Sequence, residues 1–283
     1  MFSEVIAKKF LDGIKCKVKV RAGGRFADFA RKLAELSDNI EVENVKDDVF
    51  EFCNIYYHFI PRGLEFQAFL ALLKSCCELK EEERLGCVVK TFVTDLCPNC
   101  AVTVEAVGRA CIRSGSEYHI YEASEGVEVV PTTFFCDLKL EGAVGEEEAY
   151  EWIRRASEGD YESYLVELLR SGKFEEARNL VRERKLGKVL AKLVAHREFI
   201  VRLGAMALLE SLSSEREIVA EARKIVAELL EHEDERIRED AAMVLGIIGS
   251  EEDIEKLEKI AELGGSVAES AEEAIDKIRR SRQ

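Results

Sequence analysis

Hydrophobic residues follow two different periodicities, and the change between them falls near residue 158. Before this point, short segments with an apolar residue at every second position alternate with segments in which apolar residues recur every three or four positions. These spacings are typical of β-strands and of amphipathic helices, respectively. After this point only the helical spacing remains, interrupted by Gly and Ser. The pattern predicts an α/β region followed by an all-α region.

The α/β region contains the same order of elements twice: strand, helix, strand, hairpin, helix. In the first copy we expect them at 16–20, 25–36, 40–45, around Asn54, and from 63 to about 76. In the second copy we expect them at 87–93, 98–114, 117–123, around Asp137, and at 146–156. The two hairpins align without gaps at an offset of 83 residues. We therefore expect domains at 1–79 and 87–157, joined by a charged linker at 80–86.

The all-α region, 158–283, contains a weaker repeat. Ala205, Ala241 and Ala271 occupy similar positions in three amphipathic segments, at intervals of 36 and 30 residues. Such intervals are typical of solenoids built from helical pairs, in which each pair buries its apolar face against a neighbour. We expect a HEAT-like helical repeat domain here, and an irregular helical bundle is the alternative.

Composition and charge limit the classes of function. Apolar residues make up 47% of the 283 residues, which is sufficient for packed cores. The net charge is -15, and both regions are acidic: residues 1–157 carry 20 basic and 27 acidic side chains, and residues 158–283 carry 21 and 29. Nucleic-acid binders neutralise phosphates with Lys and Arg, so we expect no nucleic-acid partner.

No segment has the pattern of a signal peptide or the length of a membrane span. Four charged residues lie between Glu4 and Asp12, and the longest uncharged apolar run, at 241–250, is about half of the roughly 20 residues that a spanning helix needs. We expect a cytoplasmic protein without a membrane partner. Scarce Gln and Asn beside abundant Glu and Lys favour a thermophilic source, in which nine cysteines are less unusual.

The candidate chemistry lies in the second copy, where Cys97-Pro98-Asn99-Cys100 begins the first helix. A cysteine at a helix start adjoins N–H groups that have no intrahelical acceptor, at the positive end of the helix dipole, and such positions favour the thiolate. Pro98 suits the first helical turn. Cys100 follows one turn later on the same face, so it can resolve a mixed disulfide formed at Cys97. The motif predicts a catalytic nucleophile with its own resolving thiol.

Thirty-four residues after Cys97, Val129-Val130-Pro131-Thr132 leads into the first hairpin strand. The order of strand, CxxC at a helix start, strand, Val-Pro-Thr, hairpin and helix resembles the thioredoxin/glutaredoxin fold. This resemblance implies a cis bond before Pro131, facing the CxxC, and a Val130 backbone that pairs with a substrate peptide as an added strand. Val130, Pro131 and Thr132 are therefore the expected substrate-binding residues.

The tandem arrangement resembles, more narrowly, the archaeal protein disulfide oxidoreductases, which are glutaredoxin-like proteins with two thioredoxin folds. The stretch 59–66, followed by a helix, a charged linker and a strand that leads to CPxC, is similar to the junction between their two units. The resemblance covers about residues 1–157. It implies thiol–disulfide exchange on protein substrates without a cofactor.

The chain departs from this family in three places. The matching turn of the first copy, 21–26, has no thiol, and Asp48 occupies the position of its cis-proline, so we expect that copy to be redox-inactive. The seven residues 124–130 are too few for the helix that the family has before the cis-proline. No buried carboxylate is expected before the motif, because Asp95 is expected to be exposed.

The remaining chemistry-bearing residues favour structural roles. A CxxC can form half of a zinc site, but the sequence has no second CxxC and no HxxxH, so we expect no metal. The four histidines are expected at the surface or in strands, and Gly23-Gly24 in a turn. A disulfide from Cys76 or Cys77 to Cys87 is an alternative left open. The other cysteines are expected to be core thiols: Cys16, Cys53, Cys87, Cys111 and Cys136.

These observations favour a thiol–disulfide oxidoreductase in which Cys97 attacks, Cys100 resolves, and the helical region binds a partner protein. Pro98 and Asn99 do not determine whether such a protein reduces, oxidises or isomerises disulfides. The alternative is a non-catalytic interaction scaffold of thioredoxin-like and HEAT-like modules, in which the CxxC is a vestige or a structural disulfide.

Overall fold

The computed structural model describes residues 4–95, 97–124 and 127–280. Contacts within the chain divide it into two compact units, Met1–Gly159 and Asp160–Gln283, here called the α/β unit and the helical unit. Among the described residues, no helix combines the length and the apolar character needed to cross a membrane.

The elements of the α/β unit lie within two residues of their predicted positions, and a further helix, α1, precedes them. The strands are β1 (Val18–Ala22), β2 (Ile40–Asn44), β3 (Phe50–Phe52), β4 (Ile55–Tyr57), β5 (Val88–Val93), β6 (Glu117–Glu122), β7 (Thr132–Phe135) and β8 (Leu138–Glu141). The helices are α1 (Glu4–Leu11), α2 (Ala27–Leu36), α3 (Gly63–Glu78), α4 (Pro98–Ser114) and α5 (Glu146–Glu158). The described part of 124–130 contains no helix, as its length predicts.

All eight strands form one mixed sheet in the order β2-β1-β3-β4-β6-β5-β7-β8. In each copy a parallel pair, β1 with β2 or β5 with β6, is extended by an antiparallel hairpin that pairs with the first strand of the copy. This strand order is thioredoxin-like in both copies. Parallel pairing of Ile55 in β4 with Tyr118 in β6 joins the copies into one sheet. The predicted tandem thioredoxin-like fold is confirmed.

The helices of the α/β unit pack as neighbours along the sheet. α2 and α3 contact β1, α4 contacts β5 and β6, and α5 contacts β7, while α3 packs against α4 and α4 against α5. In most strands, buried residues alternate with half-buried or exposed ones, as expected for a sheet with one covered face. The half-buried residues of the central strands form a row of neighbouring rings: Tyr56, His58, His119, Tyr121, Phe92 and Phe134.

The described residues of the helical unit form helices joined by short turns. They are α6 (Tyr161–Arg170), α7 (Phe174–Arg184), α8 (Gly187–Lys192), α9 (Phe199–Ser211), α10 (Arg216–Glu228), α11 (Glu235–Ile248), α12 (Glu251–Ala261) and α13 (Gly265–Arg280). The three alanines of the predicted repeat, Ala205, Ala241 and Ala271, lie in α9, α11 and α13, and each is fully buried. α11 packs against both α9 and α13, so the repeat marks successive packed helices.

Six cysteines form disulfides, which corrects the expectation of core thiols and of a bond to Cys87 from Cys76 or Cys77. The bonds are Cys16–Cys77, Cys53–Cys76 and Cys87–Cys136. The partners are separated by 61, 23 and 49 residues, so only tertiary packing brings them together. Cys111 is a buried free thiol, as expected.

The sheet register explains one of these bonds. Val89 in β5 lies opposite Phe135 in β7, and the Cys136 N–H donates to the Val88 carbonyl oxygen (3.0 Å). Cys87 and Cys136 are thereby neighbours across the ladder. This pairing depends on which strands are adjacent, which the spacing of the cysteines does not encode.

Candidate redox site

Cys97 lies at the junction between β5 and α4. β5 ends at Val93, and the Cys97 N–H donates to the Thr94 carbonyl oxygen (3.3 Å). α4 begins at Pro98, with Cys97 as its N-cap residue in an extended conformation. Proline is suited to this position because its φ is helical and its missing N–H would have been unpaired. Cys97 therefore adjoins the first-turn amides at the positive end of a 17-residue helix.

The four residues of the motif differ in exposure. Pro98 and Asn99 are exposed, Cys97 is half-buried and Cys100 is fully buried. The Cys100 N–H donates to the Cys97 carbonyl oxygen (3.1 Å), and neither cysteine is in a disulfide. A substrate approaching from solvent can reach Cys97 but not Cys100.

Cys100 is held as a neutral thiol. Burial raises the pKa of Cys100 to about 12, and a side-chain hydrogen bond with Cys97 adds to the increase, whereas a backbone hydrogen bond with Thr94 opposes it. The two cysteine side chains therefore interact with each other. Because only a thiolate attacks a disulfide, a proton must leave Cys100 before it can react.

The loop before β7 lies against Cys97. The Val130–Pro131 peptide bond is cis, and the Cys97 Sγ is 3.9 Å from the Val130 carbonyl oxygen. The Thr132 hydroxyl donates to the Val129 carbonyl oxygen (2.6 Å), which fixes the loop from within. Val130 and Pro131 are thus beside the thiol, whereas Thr132 is buried and its hydroxyl is already bonded.

A buried carboxylate that the sequence reasoning missed belongs to the first copy. Glu65, in the first turn of α3, is fully buried, and neither carboxylate oxygen has a hydrogen-bond partner within the described part of the chain. Burial raises the pKa of Glu65 from 4.5 to about 7. Its charge also raises the pKa of Cys100, which indicates that the two side chains interact electrostatically. The expectation for Asp95 was correct, since it is exposed.

The position of Glu65 could have been found from helical spacing. Glu65, Phe69 and Leu72 are spaced i, i+4 and i+7, and all three are fully buried. The apolar stripe of α3 therefore contains one carboxylate. What the sequence does not encode is that this stripe faces α4, because the α3–α4 packing joins the two copies.

The corresponding turn of the first copy is occupied by a network without sulfur. Gly24–Phe26 forms a short 3-10 helix, and the Arg25 N–H donates to the Asp48 carboxylate (3.0 Å), which also pairs with the Arg25 guanidinium (3.1 Å). Gly24 has φ +54, and a Cβ there would lie 2.5 Å from Asp48, so only glycine fits. The Gly-Gly pair is a structural turn, as expected.

Comparison with known proteins gives a family match within the helical unit and solved structures similar to about half of the chain. Residues 187–276 match the family model of HEAT repeats. This range begins at α8 and ends within α13, and it contains all three repeated alanines. The predicted HEAT-like nature of this region is confirmed. No curated protein matches the chain in sequence.

Two solved structures are similar to this chain over about half its length. The NTD_N/C domain of alkylhydroperoxide reductase AhpF from Enterococcus faecalis has 16% identity and a TM-score of 0.46, covering 53% of this chain and 99% of that chain. A protein disulfide oxidoreductase from Aeropyrum pernix has 15% identity and a TM-score of 0.45, covering 55% of this chain and 92% of that chain.

Proposed function

We propose that this protein is a thiol–disulfide oxidoreductase that acts on protein disulfides through Cys97 and Cys100. The observation that carries the proposal is the pairing of a half-exposed cysteine at the N-cap of α4 with a buried thiol hydrogen-bonded to it. The Cys97 sulfur adjoins the first-turn amides of α4, a position typical of nucleophilic cysteines. The chain supplies every group that the exchange requires, so no cofactor is involved.

In the reducing direction, two exchanges reduce one substrate disulfide and oxidise the protein. The Cys97 thiolate attacks one sulfur of the substrate disulfide; its S–S bond breaks, the other sulfur leaves as a thiolate, and a mixed disulfide forms at Cys97. Cys100 then loses its proton and attacks the Cys97 sulfur, which releases the second substrate thiol. The substrate gains two electrons, and the protein is left with a Cys97–Cys100 disulfide. The oxidising direction is the reverse, and reduction potentials decide between them.

Glu65 is the proton acceptor for the second exchange. A thiol with a pKa of about 12 is poorly nucleophilic at neutral pH, and a buried carboxylate with a pKa of about 7 can take up its proton there. The absence of a hydrogen-bond partner for Glu65, within the described residues, leaves both of its oxygens available. Val130, next to the Cys97 sulfur, offers its backbone to a substrate strand.

The helical unit contributes a partner-binding surface to this proposal. α9 exposes Phe199, Ile200 and Leu203, and the adjacent α11 exposes Met243 and Ile247; between 40% and 63% of each residue is accessible. Clusters of exposed large apolar residues on a soluble unit mark sites of protein interaction. HEAT repeats also present extended faces suited to a protein partner.

Trapping of mixed disulfides tests the proposal. A Cys100→Ser variant should retain covalently bound substrate proteins through Cys97, because the resolving thiol is missing, and reducing gels should release them. A Cys111→Ser variant is the matched control, since Cys111 is also a buried free thiol on α4 but lies far along the helix. Equal, background trapping by both variants would contradict the proposal and favour a non-catalytic scaffold.

A further inference from the structure

An apolar groove lies beside the cysteine pair, between α3 and α4. Its volume is about 390 Å³. It is lined by Leu64, Gln67, Ala68 and Ala71 of α3, by Pro98, Ala101, Val102 and Glu105 of α4, and by Phe10 of α1. Pro98, which lines one end of the groove, directly follows Cys97 in the chain, so that end lies one residue from the proposed active site.

The groove results from the sizes of the facing residues. Farther along the two helices, Gly108 of α4 allows contact so close that a Cβ there would lie 2.5 Å from the Leu72 side chain. Toward their N-termini, the facing residues Ala68, Ala71 and Ala101 are too small to fill the space between the helices. In both helices the lining residues recur with the spacing i, i+3, i+4, i+7, so each contributes one continuous stripe.

The rim of the groove exposes apolar side chains. Leu64 is 38% exposed and Val102 is 62% exposed, although each is surrounded by other apolar lining residues. Burial of such surface stabilises a complex by roughly 25 cal/mol per Å². An apolar side chain inserted between Leu64 and Val102 would remove both from water.

We propose that this groove binds an apolar side chain of the substrate polypeptide, located within about three residues of the cysteine that Cys97 attacks. The lining residues extend over seven positions of each helix, which is roughly 10 Å at 1.5 Å per residue. An extended substrate segment advances by about 3.3 Å per residue, so three residues cover that length. This inference rests on the proposed function and specifies its substrate class.

Charge adds a second preference. Glu105 lines the groove at the end farthest from Pro98, and no Lys or Arg is among the described residues that line it. The chain as a whole has a net charge of -15. A basic residue of the substrate just beyond the apolar one is therefore favoured over an acidic one.

Symmetric, disulfide-linked peptide dimers test this inference. Three peptides differ only after the cysteine: one has Leu at the second position and Lys at the fourth, one has Leu and Glu, and one has Ser and Lys. Hydroxyethyl disulfide, which is too small to use the groove, is the reference substrate. We expect the second-order rate constant for oxidation of the reduced protein, measured in a single turnover, to be about tenfold higher for Leu-Lys than for Ser-Lys, from partial burial of one leucine, with Leu-Glu between them.

Variants distinguish substrate binding in the groove from disulfide exchange at Cys97. Val102→Asp and the milder Val102→Ser should abolish the preference for leucine, measured within each variant as the ratio of the Leu-Lys rate to the Ser-Lys rate. Leu263→Asp, at a residue that is 61% exposed in the helical unit, is the control and should behave like the parent protein. Equal rates for the three peptides, or a leucine preference that survives in Val102→Asp, would overturn the inference alone. Absence of activity even with hydroxyethyl disulfide would overturn the proposed function and the inference with it.

Discussion

The two βαββα copies have the same strand order but different chemistry at corresponding positions. After the first strand of the second copy, the chain forms a helix start with two free thiols, Cys97 and Cys100. After the first strand of the first copy, it forms a glycine turn held by Arg25 and Asp48. The same turn of the fold therefore carries two thiols in the second copy and an ion pair in the first.

The copy without thiols also contributes a residue to the proposed site. Glu65, on the last helix of the first copy, is a buried carboxylate whose charge raises the pKa of Cys100. α3 and α4 pack against each other, and β4 and β6 join the two copies in one sheet. The cysteines divide in the same way, since those of the first copy are all in disulfides and the free ones lie in the second.

The largest effect is expected from removing the carboxylate that the first copy contributes. Glu65→Gln should slow closure of the Cys97–Cys100 disulfide by about a hundredfold at pH 8, because a general base contributes roughly 10²–10⁴ in rate. In the parent protein this rate should rise with pH through about 7, the pKa of Glu65, and the variant should lose that rise. The rate of closure of the Cys97–Cys100 disulfide is measured by rapid acid quenching of the mixed disulfide.

Glu78→Gln, at an exposed position on the same helix, is the matched control and should retain the parental profile. An unchanged pH profile in Glu65→Gln would show that the first copy does not participate in the chemistry.

The disulfides of the first copy should affect stability without affecting reactivity. Cys16→Ser combined with Cys77→Ser opens a loop of 61 residues, and a native disulfide typically contributes about 2–4 kcal/mol. We expect a loss of that size in the free energy of unfolding, measured by urea denaturation. The alkylation rate of Cys97 should stay the same, and a parallel loss of reactivity would mean that the bond also shapes the site.

The pH dependence of the free energy of unfolding provides a separate test of Glu65. Its pKa is about 7 in the folded protein against an ordinary value of 4.5, so between these pH values the folded state binds the extra proton. The contribution of Glu65 is therefore most favourable below about pH 4.5 and falls as the pH rises to 7, by about 3 kcal/mol in total. Glu65→Gln should be more stable than the parent at pH 8 by up to that amount and similar to it at pH 4. If Glu65→Gln and the parent differed in stability by the same amount at pH 4 and at pH 8, the ionisation of a buried Glu65 would be refuted.

The smallest effect is expected at the turn of the first copy. Asp48→Asn weakens an ion pair whose side chains are about half exposed, and such pairs contribute less than about 1 kcal/mol. We expect a small loss of stability by urea denaturation and no change in disulfide reduction. A large decrease in the rate of disulfide reduction would show that this turn is functional.

Local patterns predicted the elements of the α/β unit apart from α1, but they did not predict which elements are adjacent in the fold. Pro98 after a cysteine marked the start of α4 at the correct residue, and period-two segments marked the strands. The disulfide partners and Glu65 could not be assigned in this way, because both depend on which elements are adjacent. Cys76 and Cys77 are neighbours in sequence, yet they bond to different parts of the first copy.

The central claim is that the start of α4 activates the Cys97 sulfur, and its alkylation rate tests this most directly. In a Cys100→Ser, Cys111→Ser background, the iodoacetamide reaction at position 97 should be faster at pH 7 than that of a free cysteine peptide. A rate equal to that of the peptide would contradict the claim.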